Sequence, residues 1–462
     1  MEAIILCGGE GTRLWPYNLN TPKSLTHVAN KPIVAYSLES LLALGITNIT
    51  LLVKSISDGY HQQLGKIPIL ADALSKGAIT INEVGETNGP ADTLGRYMTR
   101  HATFSDAILL LFGDQYVSRD GLQSVIDNTN NNVALFRYLT EDKRSDRIAY
   151  DLTSDEPLFF YHPRRAGYDH ELCALKCDRQ HVRRLTTALP SIYDSVQCGM
   201  MPSNEKFIAP LVAELSERGT LTSLVTQKGY HLDYPWDILS VNQYMTEKLC
   251  GEVTQTHLSD TSTMSKLAIS RGQVKLGDNS YIGDQVILKG NVIIGNNTNI
   301  IDGAIVGNNV IIGNNCVIKD RCRIADNSVI GDNCVIGHCA ELEGVINRNT
   351  YLYHHCEIYG LLGQSVDIGA GTSFGNLRFD DARVSHNIHG KRITPMAYSN
   401  AVYLGDFVRT GVNTSIMPGV KVGSRSVIGS NVCLNEDVKS NTIIYVKQDL
   451  KTAPWGNDVY GR

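Results

Sequence analysis

Three glycines, an arginine and a lysine near the start of the chain are spaced in a way that suits phosphate. The segment CGGEGTRLWPYNLNTPKSL puts Gly8, Gly9 and Gly11 in one short loop, with Arg13 and Lys23 beyond it. Without side chains at those positions, backbone N–H groups can approach an anion closely, and the two cations neutralise its charge. The loop is neither a G-x-G-x-x-G dinucleotide fingerprint nor a P-loop, since no GK[ST] follows; a plain tight turn is the alternative. Further along, AILLLFGDQYV is an apolar strand that delivers Asp114 at its carboxyl end, where ligands collect in open α/β sheets. An aspartate there reads either as a metal ligand or as the cap of the next turn.

The elements that must carry these residues are legible around them. AIILCGG reads as a short buried strand, KPIVAYSLESLLALG as a helix ending at Gly45, and ITNITLLVK as the next strand, an alternation that predicts an α/β parallel sheet. The second half follows another rule. From Leu276 to Leu342 every sixth residue is aliphatic, through Ile282, Leu288, Ile294, Ile300, Val306, Ile312, Ile318, Ile324, Ile330 and Ile336. Neither helix nor strand has that period; a hexapeptide parallel β-helix does. The Gly-Asn and Gly-Asp pairs after the aliphatic residues suit tight corners with positive φ. The register falters near Arg348, returns through Leu352 and Ile358, shifts to Leu362, Ile368 and Phe374, and resumes at Leu404. The excursion after Phe374 is too long for one coil turn, and such excursions tend to be functional.

Composition narrows the partners. The 462 residues carry a net charge of −5 with both signs dispersed, which argues against nucleic acid or an anionic membrane and for small molecules. No apolar run reaches membrane-spanning length, and the first residues lack the basic and extended apolar regions of a signal peptide, so a cytosolic protein is expected. Cys316, Cys322 and Cys334 fall in phase with the repeat, two residues before Ile318, Ile324 and Ile336, and read as core packing atoms rather than metal ligands.

The string GGEGTRLWP…TPKSL…KPIVAY closely resembles the signature of the sugar-1-phosphate nucleotidylyltransferases, G-x-G-T-R-L-x-P followed by a P-K segment. The resemblance implies a nucleoside triphosphate and a sugar 1-phosphate as substrates and Mg²⁺ as cofactor, with in-line attack of a phosphate oxygen on the α-phosphorus and loss of pyrophosphate. It implies nucleotide contacts from Leu6, Gly8, Gly9, Gly11 and Thr12, and base contact from Gly89 in ETNGPADTLG. Arg13 would hold the departing pyrophosphate, Lys23 would contact the transferred phosphate, and Asp114 with Asp233, in KGYHLDYPWDILSVN, would hold the metal.

The stretch DIGAGTSFGNLRFDDARV…HGKRI…LGDFVRTGVNTSIMPGVKVG is similar to the C-terminal domain of archaeal bifunctional sugar-1-phosphate nucleotidylyltransferase/acetyltransferases. That implies acetyl-CoA as a second cofactor, an amino-sugar phosphate as acceptor, and left-handed solenoids assembled as a trimer or a multiple of one. The implied architecture is a Rossmann-like α/β nucleotidyltransferase domain over residues 1–247, a linker over 248–270, a hexapeptide left-handed parallel β-helix over 271–445 and a tail over 446–462. Asn376 matches the family's site asparagine. Ungapped alignment puts Tyr353 at the family's general-base histidine, and a slip of one or two residues puts His354 or His355 there; two adjacent surface histidines are the alternative reading. The family's lysines are replaced by Ala382 and Ser385, with Arg378, Arg383 or Lys391 as substitutes. In the first domain, Tyr161 and His162 stand where the family has the Glu-Lys pair that grips the sugar, and Cys173 and Ala174 replace its Asn-Ala-Gly segment. Those losses leave a second expectation open, a non-catalytic regulatory or scaffolding member.

Overall fold

The computed structural model describes residues 1–56, 59–101, 107–139, 148–152, 160–161, 167–179, 181–182 and 205–456. In the first half, strands Ile79–Glu83, Ile49–Val53, Glu2–Leu6 and Ala107–Phe112 lie side by side in parallel. Glu2–Leu6 and Ile49–Val53 are buried along their whole length, as the uninterrupted apolar runs require for strands covered on both faces. Helix Ile33–Ala43 packs Val34, Ala35, Leu38 and Leu41 into one core, and Gly45 turns the chain out of it with φ 79°. The parallel rule stops at Ala107–Phe112. Its other neighbour, His170–Asp178, is antiparallel, and Asn132–Tyr138 and Leu221–Thr226 extend the sheet beyond it. The sheet is therefore mixed, a correction to the wholly parallel one expected.

The second half is a left-handed parallel β-helix whose coils repeat every 18 residues, so that Leu276 lies over Ile294 and Ile294 over Ile312. The whole aliphatic series from Leu276 to Leu342 forms one buried interior with Cys316, Cys322 and Cys334. Those thiols are free and point at main-chain carbonyls of the next coil, Cys316 Sγ lying 3.1 Å from the Gly331 oxygen, the role Thr298 Oγ1 plays to Gly313 at 2.8 Å. The corner residues divide their work differently from the sequence expectation. Positive φ falls on the second residue after each glycine, Asn279 at 52°, Asn297 at 52°, Asn315 at 55° and Asn333 at 58°, whose side-chain amides bond one to the next up the stack. The glycine is there for closeness: a Cβ on Gly277 would stand 2.3 Å from Asn296 Oδ1, which accepts the Asp278 N–H at 2.8 Å.

The faltering register also has a structural cause. Two successive coils are 16 residues long, so Leu342 pairs with Ile358 and Ile346 with Leu362. The missing corner lets Glu341–Ile346 and Glu357–Leu362 run straight through what are elsewhere two strands. Gly344 (φ 131°) and Gly360 (φ 155°) sit at the straightened corner, where a Cβ on either would lie 2.0 Å from a carbonyl oxygen of the next coil. The excursion then leaves after Phe374 and returns at Val402–Leu404, with a small hairpin of His386–Ile388 and Lys391–Ile393 inside it.

Helix Pro235–Gly251 lies between the halves. Trp236, Leu239 and Val241 share a core with Ile311, Val329, Val345, Leu361 and Tyr403 of the β-helix. The phosphate-loop side docks too: Tyr17 Oη donates to the Leu361 carbonyl at 2.6 Å, Ser424 Oγ to that of Pro16 at 3.2 Å, and Asn30 Nδ2 to that of Ile330 at 2.7 Å. Strands His257–Leu258, Thr263–Met264 and Ile269–Ser270, inside the stretch read from sequence as linker, already pair with the next coil. Among the described residues no helix is long and apolar enough to cross a membrane.

Candidate active site

At the carboxyl ends of the parallel strands a cleft of about 730 Å³ opens, the size of a nucleotide-class ligand site. Leu6, Gly8, Gly9, Gly11, Thr12, Arg13, Lys23, Gly89, Asp114 and Asp233 all line it, although they come from sites spread over more than two hundred residues. Each is positioned by local physics. Gly11 takes the left-handed conformation at φ 61° before the short turn Thr12–Leu14, which carries Arg13. Lys23 begins a buried turn, Lys23–Leu25, whose wall touches Gly11: a Cβ there would come within 3.3 Å of Lys23 Cβ. Gly89, with φ 99°, precedes helix Pro90–Arg100, and a Cβ on it would lie 2.7 Å from the Lys206 carbonyl.

The two aspartates meet through a ribbon. Strand Gln115–Val117 pairs antiparallel with Gly229–His231, Gln115 opposite His231, so the residues flanking that pair come together. Leu232 N–H donates to the Asp114 carbonyl at 3.0 Å. Gly113 is required before Asp114, because a Cβ would be 2.5 Å from Cys7 Sγ. Asp233 is held from behind by Asp237, whose Oδ2 accepts the Asp233 N–H at 2.8 Å as the first turn of helix Pro235–Gly251 begins.

Charge is concentrated at this point. The Lys23 ammonium lies 2.6 Å from Asp114 Oδ2 and 2.9 Å from Asp233 Oδ1, and Arg13 reaches Asp233 at 3.5 Å. Burial works to lower the Lys23 pKa, but the two carboxylates outweigh it and hold the ammonium above its ordinary value. Burial likewise would raise Asp114, and Lys23 with His231 outweighs it, holding that carboxyl well below the usual range. The two carboxylates thus converge on one cationic position, filled here by the lysine. Among the described residues no three His, Cys, Asp or Glu side chains are themselves disposed around a metal ion. The donor chemistry still fits a divalent cation that shares its shell with substrate phosphates, where Mg²⁺ needs only one or two protein carboxylates.

Three members of the site were missed in the sequence. His231 Nε2 lies 3.1 Å from Asp114 Oδ2 and 3.2 Å from the Lys23 ammonium, and its Nδ1 is 2.8 Å from Glu171 Oε1. Glu171 Oε2 accepts from Arg137 Nε at 2.9 Å and from a second guanidinium nitrogen; the two residues are cross-strand partners, both buried. Burial works to lower the His231 pKa, yet Asp233, Asp114 and Glu171 raise it above the ordinary value. The available signal was a lone charge inside each of two apolar strands, NVALFRY and HELCALKCD, which a buried strand does not carry unpaired.

The remaining predicted residues fall elsewhere. Tyr161 ends strand Phe160–Tyr161, and His162 lies outside the described residues. His354 and His355 are exposed at a coil corner, in ring contact with each other, and His355 also with His338, at 5.5 Å. Asn376 is exposed at the start of the excursion, its carbonyl accepting from Asn400 Nδ2 at 3.0 Å. None of these three lines the cleft. Of the proposed replacement cations, Arg378 is turned onto Asp380 through two bonds of 2.8 and 2.7 Å.

Comparison with known proteins adds an independent line. Residues 2–146 match the Nucleotidyl transferase family and residues 288–377 the GMPPB C-terminal domain. The chain is 31% identical over 470 residues to the Bifunctional protein GlmU of Methanococcus maripaludis strain C7, covering 97% of this chain and 98% of that one. It is 28% identical over 480 residues to the Bifunctional protein GlmU of Methanocaldococcus jannaschii, with the same coverage. It is 25% identical over 446 residues to the Bifunctional sugar-1-phosphate nucleotidylyltransferase/acetyltransferase of Sulfurisphaera tokodaii, covering 95% of this chain and 98% of that one.

Proposed function

This chain belongs to the GlmU-type family of bifunctional sugar-1-phosphate nucleotidylyltransferase/acetyltransferases, and from that premise we propose how its cleft works. A sugar 1-phosphate oxygen attacks the α-phosphorus of a nucleoside triphosphate. The new bond forms as the bond from that phosphorus to the bridging oxygen breaks, and pyrophosphate leaves. The transition state spreads charge over phosphate oxygens, so catalysis is positioning plus neutralisation.

In this reading the backbone N–H groups of Gly8 to Thr12 bind the triphosphate, Arg13 neutralises the departing pyrophosphate, and Lys23 moves from the two carboxylates to the transferred phosphate. Gly89 provides flat backbone against the base. Asp114 and Asp233 would hold a divalent cation, Mg²⁺ in the first instance, which when bound neutralises phosphate oxygens on both reactants. The observation that carries the reading is the convergence of Arg13, Lys23, Asp114 and Asp233 at one end of a glycine-lined cleft. The same intact charge set favours an enzyme over a non-catalytic scaffold. Pyrophosphate release with each of four nucleoside triphosphates and a set of hexose 1-phosphates tests it; Asp114→Ala is expected to abolish turnover, and no release from any pair would refute it.

For the second half the proposal is acetyl transfer from acetyl-CoA to an amino-sugar phosphate, with His354 or His355 as base and Asn376 at the acceptor. These residues are exposed on one chain, which favours a site completed between copies in a trimer. Thiol release from acetyl-CoA, measured in wild type and in the His354→Ala/His355→Ala double variant, is the test; unchanged release in the variant would remove both histidines from the mechanism. A cytosolic location fits these soluble substrates and the free cysteines.

A further inference from the structure

The ammonium of Lys23 stands at the meeting point of three donors. Asp114 Oδ2 is 2.6 Å away, Asp233 Oδ1 2.9 Å and His231 Nε2 3.2 Å. The donors are also spaced as ligands of one ion would be, with His231 Nε2 3.1 Å from Asp114 Oδ2 and 3.5 Å from Asp233 Oδ1. Donors about 2.1 Å from a common ion lie about 3.0 Å apart in an octahedral shell and about 3.4 Å apart in a tetrahedral one.

A second observation sits behind the imidazole. Glu171 Oε1 meets His231 Nδ1 at 2.8 Å, and Arg137, buried beside it, holds the far oxygen of that carboxylate. A carboxylate behind a histidine fixes the tautomer that leaves Nε2 as the ligating atom, and it is the usual second partner of a metal-bound imidazole. Glu171 has no spare oxygen for a substrate hydroxyl, since both are engaged.

We infer that His231 is a third protein ligand of the divalent cation, oriented by Glu171 and Arg137, and that the completed Asp-His-Asp set prefers first-row ions such as Mn²⁺ to Mg²⁺. The inference rests on the reading that Asp114 and Asp233 hold the cation. When the ion enters, Lys23 withdraws toward phosphate and Nε2 gives up any proton it carries. An imidazole nitrogen suits first-row transition ions, whereas Mg²⁺ favours an all-oxygen shell.

Binding of Mn²⁺ alone to the full chain, followed by pulsed electron paramagnetic resonance without substrates, tests this. Wild type is expected to show directly coordinated ¹⁴N and to require a large excess of Mg²⁺ to displace the Mn²⁺. His231→Gln is expected to lose the nitrogen coupling and about tenfold or more in Mn²⁺ affinity, and Glu171→Gln about tenfold while keeping the coupling. Asp114→Asn is expected to abolish binding. Mn²⁺ binding that needs Asp114 but has no nitrogen coupling in wild type would overturn the third ligand alone. Binding indifferent to Asp114→Asn would overturn the cation reading beneath it. The nitrogen signal is read on the unmodified protein, so the result stands whatever the variants do to folding.

Discussion

Replacing Lys23 by Met would keep the bulk of the side chain and delete its charge, and the consequences separate the two roles assigned to that lysine. In the free protein the ammonium is the shared counter-ion of Asp114 and Asp233, whose side chains are 23% and 1% exposed. Removing one partner of a buried ion pair costs about 3–5 kcal/mol, because the other charge is left uncompensated. Asp114 retains some solvent and Arg13 and His231 remain nearby, so the lower end, about 3 kcal/mol, is expected. For a domain of this size that is a fall in melting temperature of about 6–12 °C. A divalent cation should then fill the vacated position: at 100 times its dissociation constant it returns about 2.7 kcal/mol. Thermal melts in chelator and in Mg²⁺ or Mn²⁺ therefore should show a destabilised variant largely rescued by metal, with a larger metal shift than wild type. Turnover should stay at least about 10²-fold down even when the fold is rescued, since the phosphate contact is gone. A variant that melts with wild type in chelator, and gains no more from metal, would refute the shared counter-ion role.

Other expectations follow from the packing. Gly344→Ala or Gly360→Ala puts a Cβ 2.0 Å from a carbonyl oxygen at a straightened corner, so each should lower the β-helix denaturation midpoint by far more than an ordinary Gly→Ala change; a midpoint within error of wild type would contradict the corner geometry. His386 is buried between the Ser399 carbonyl, Lys421 and Trp236, and burial, helped by the Lys421 charge, lowers its pKa to about 4. The unfolded chain, at about 6.5, holds more protons than the folded one between those values, so stability should fall as pH drops from 6.5 to 4, by up to about 3 kcal/mol. His386→Asn should flatten that part of the stability profile, and an unchanged slope from urea melts at pH 7, 6 and 5 would assign it elsewhere. Tyr17→Phe leaves the Leu361 carbonyl without its donor and should cost about 1 kcal/mol in the same melts, with no loss expected for Tyr281→Phe on the exposed face of a coil.

How much of this could be read from the chain depended on the range of the interaction. The coil interior was legible because one short period fixes which side chain points inward, and Leu276 through Leu342 did so without interruption. The straightened corner was not, since Gly344 and Gly360 remove two residues from a coil and reveal themselves only as a faltering period. The glycine loop, Arg13 and Lys23 are a contiguous signal, and they lie together in the cleft. His231, Glu171 and Arg137 form a chain through space across three strands; each looks unremarkable in its own segment, and only sheet register makes them neighbours. The mixed sheet was missed for the same reason, because direction is set by how Asn132–Tyr138 and His170–Asp178 connect rather than by their composition. For the β-helix half, His354, His355 and Asn376 remain apart from any feature a single chain completes, which is why their role stands as a proposal between copies.

The account turns on nucleotidyl transfer in the N-terminal cleft, and phosphorus NMR of one reaction tests it most directly. With Mg²⁺, a nucleoside triphosphate and the hexose 1-phosphate it accepts, the account predicts a nucleoside diphosphate sugar and pyrophosphate appearing in equal amounts as both substrates disappear. Triphosphate left intact across all pairs, or hydrolysed without consumption of the sugar phosphate, would contradict it.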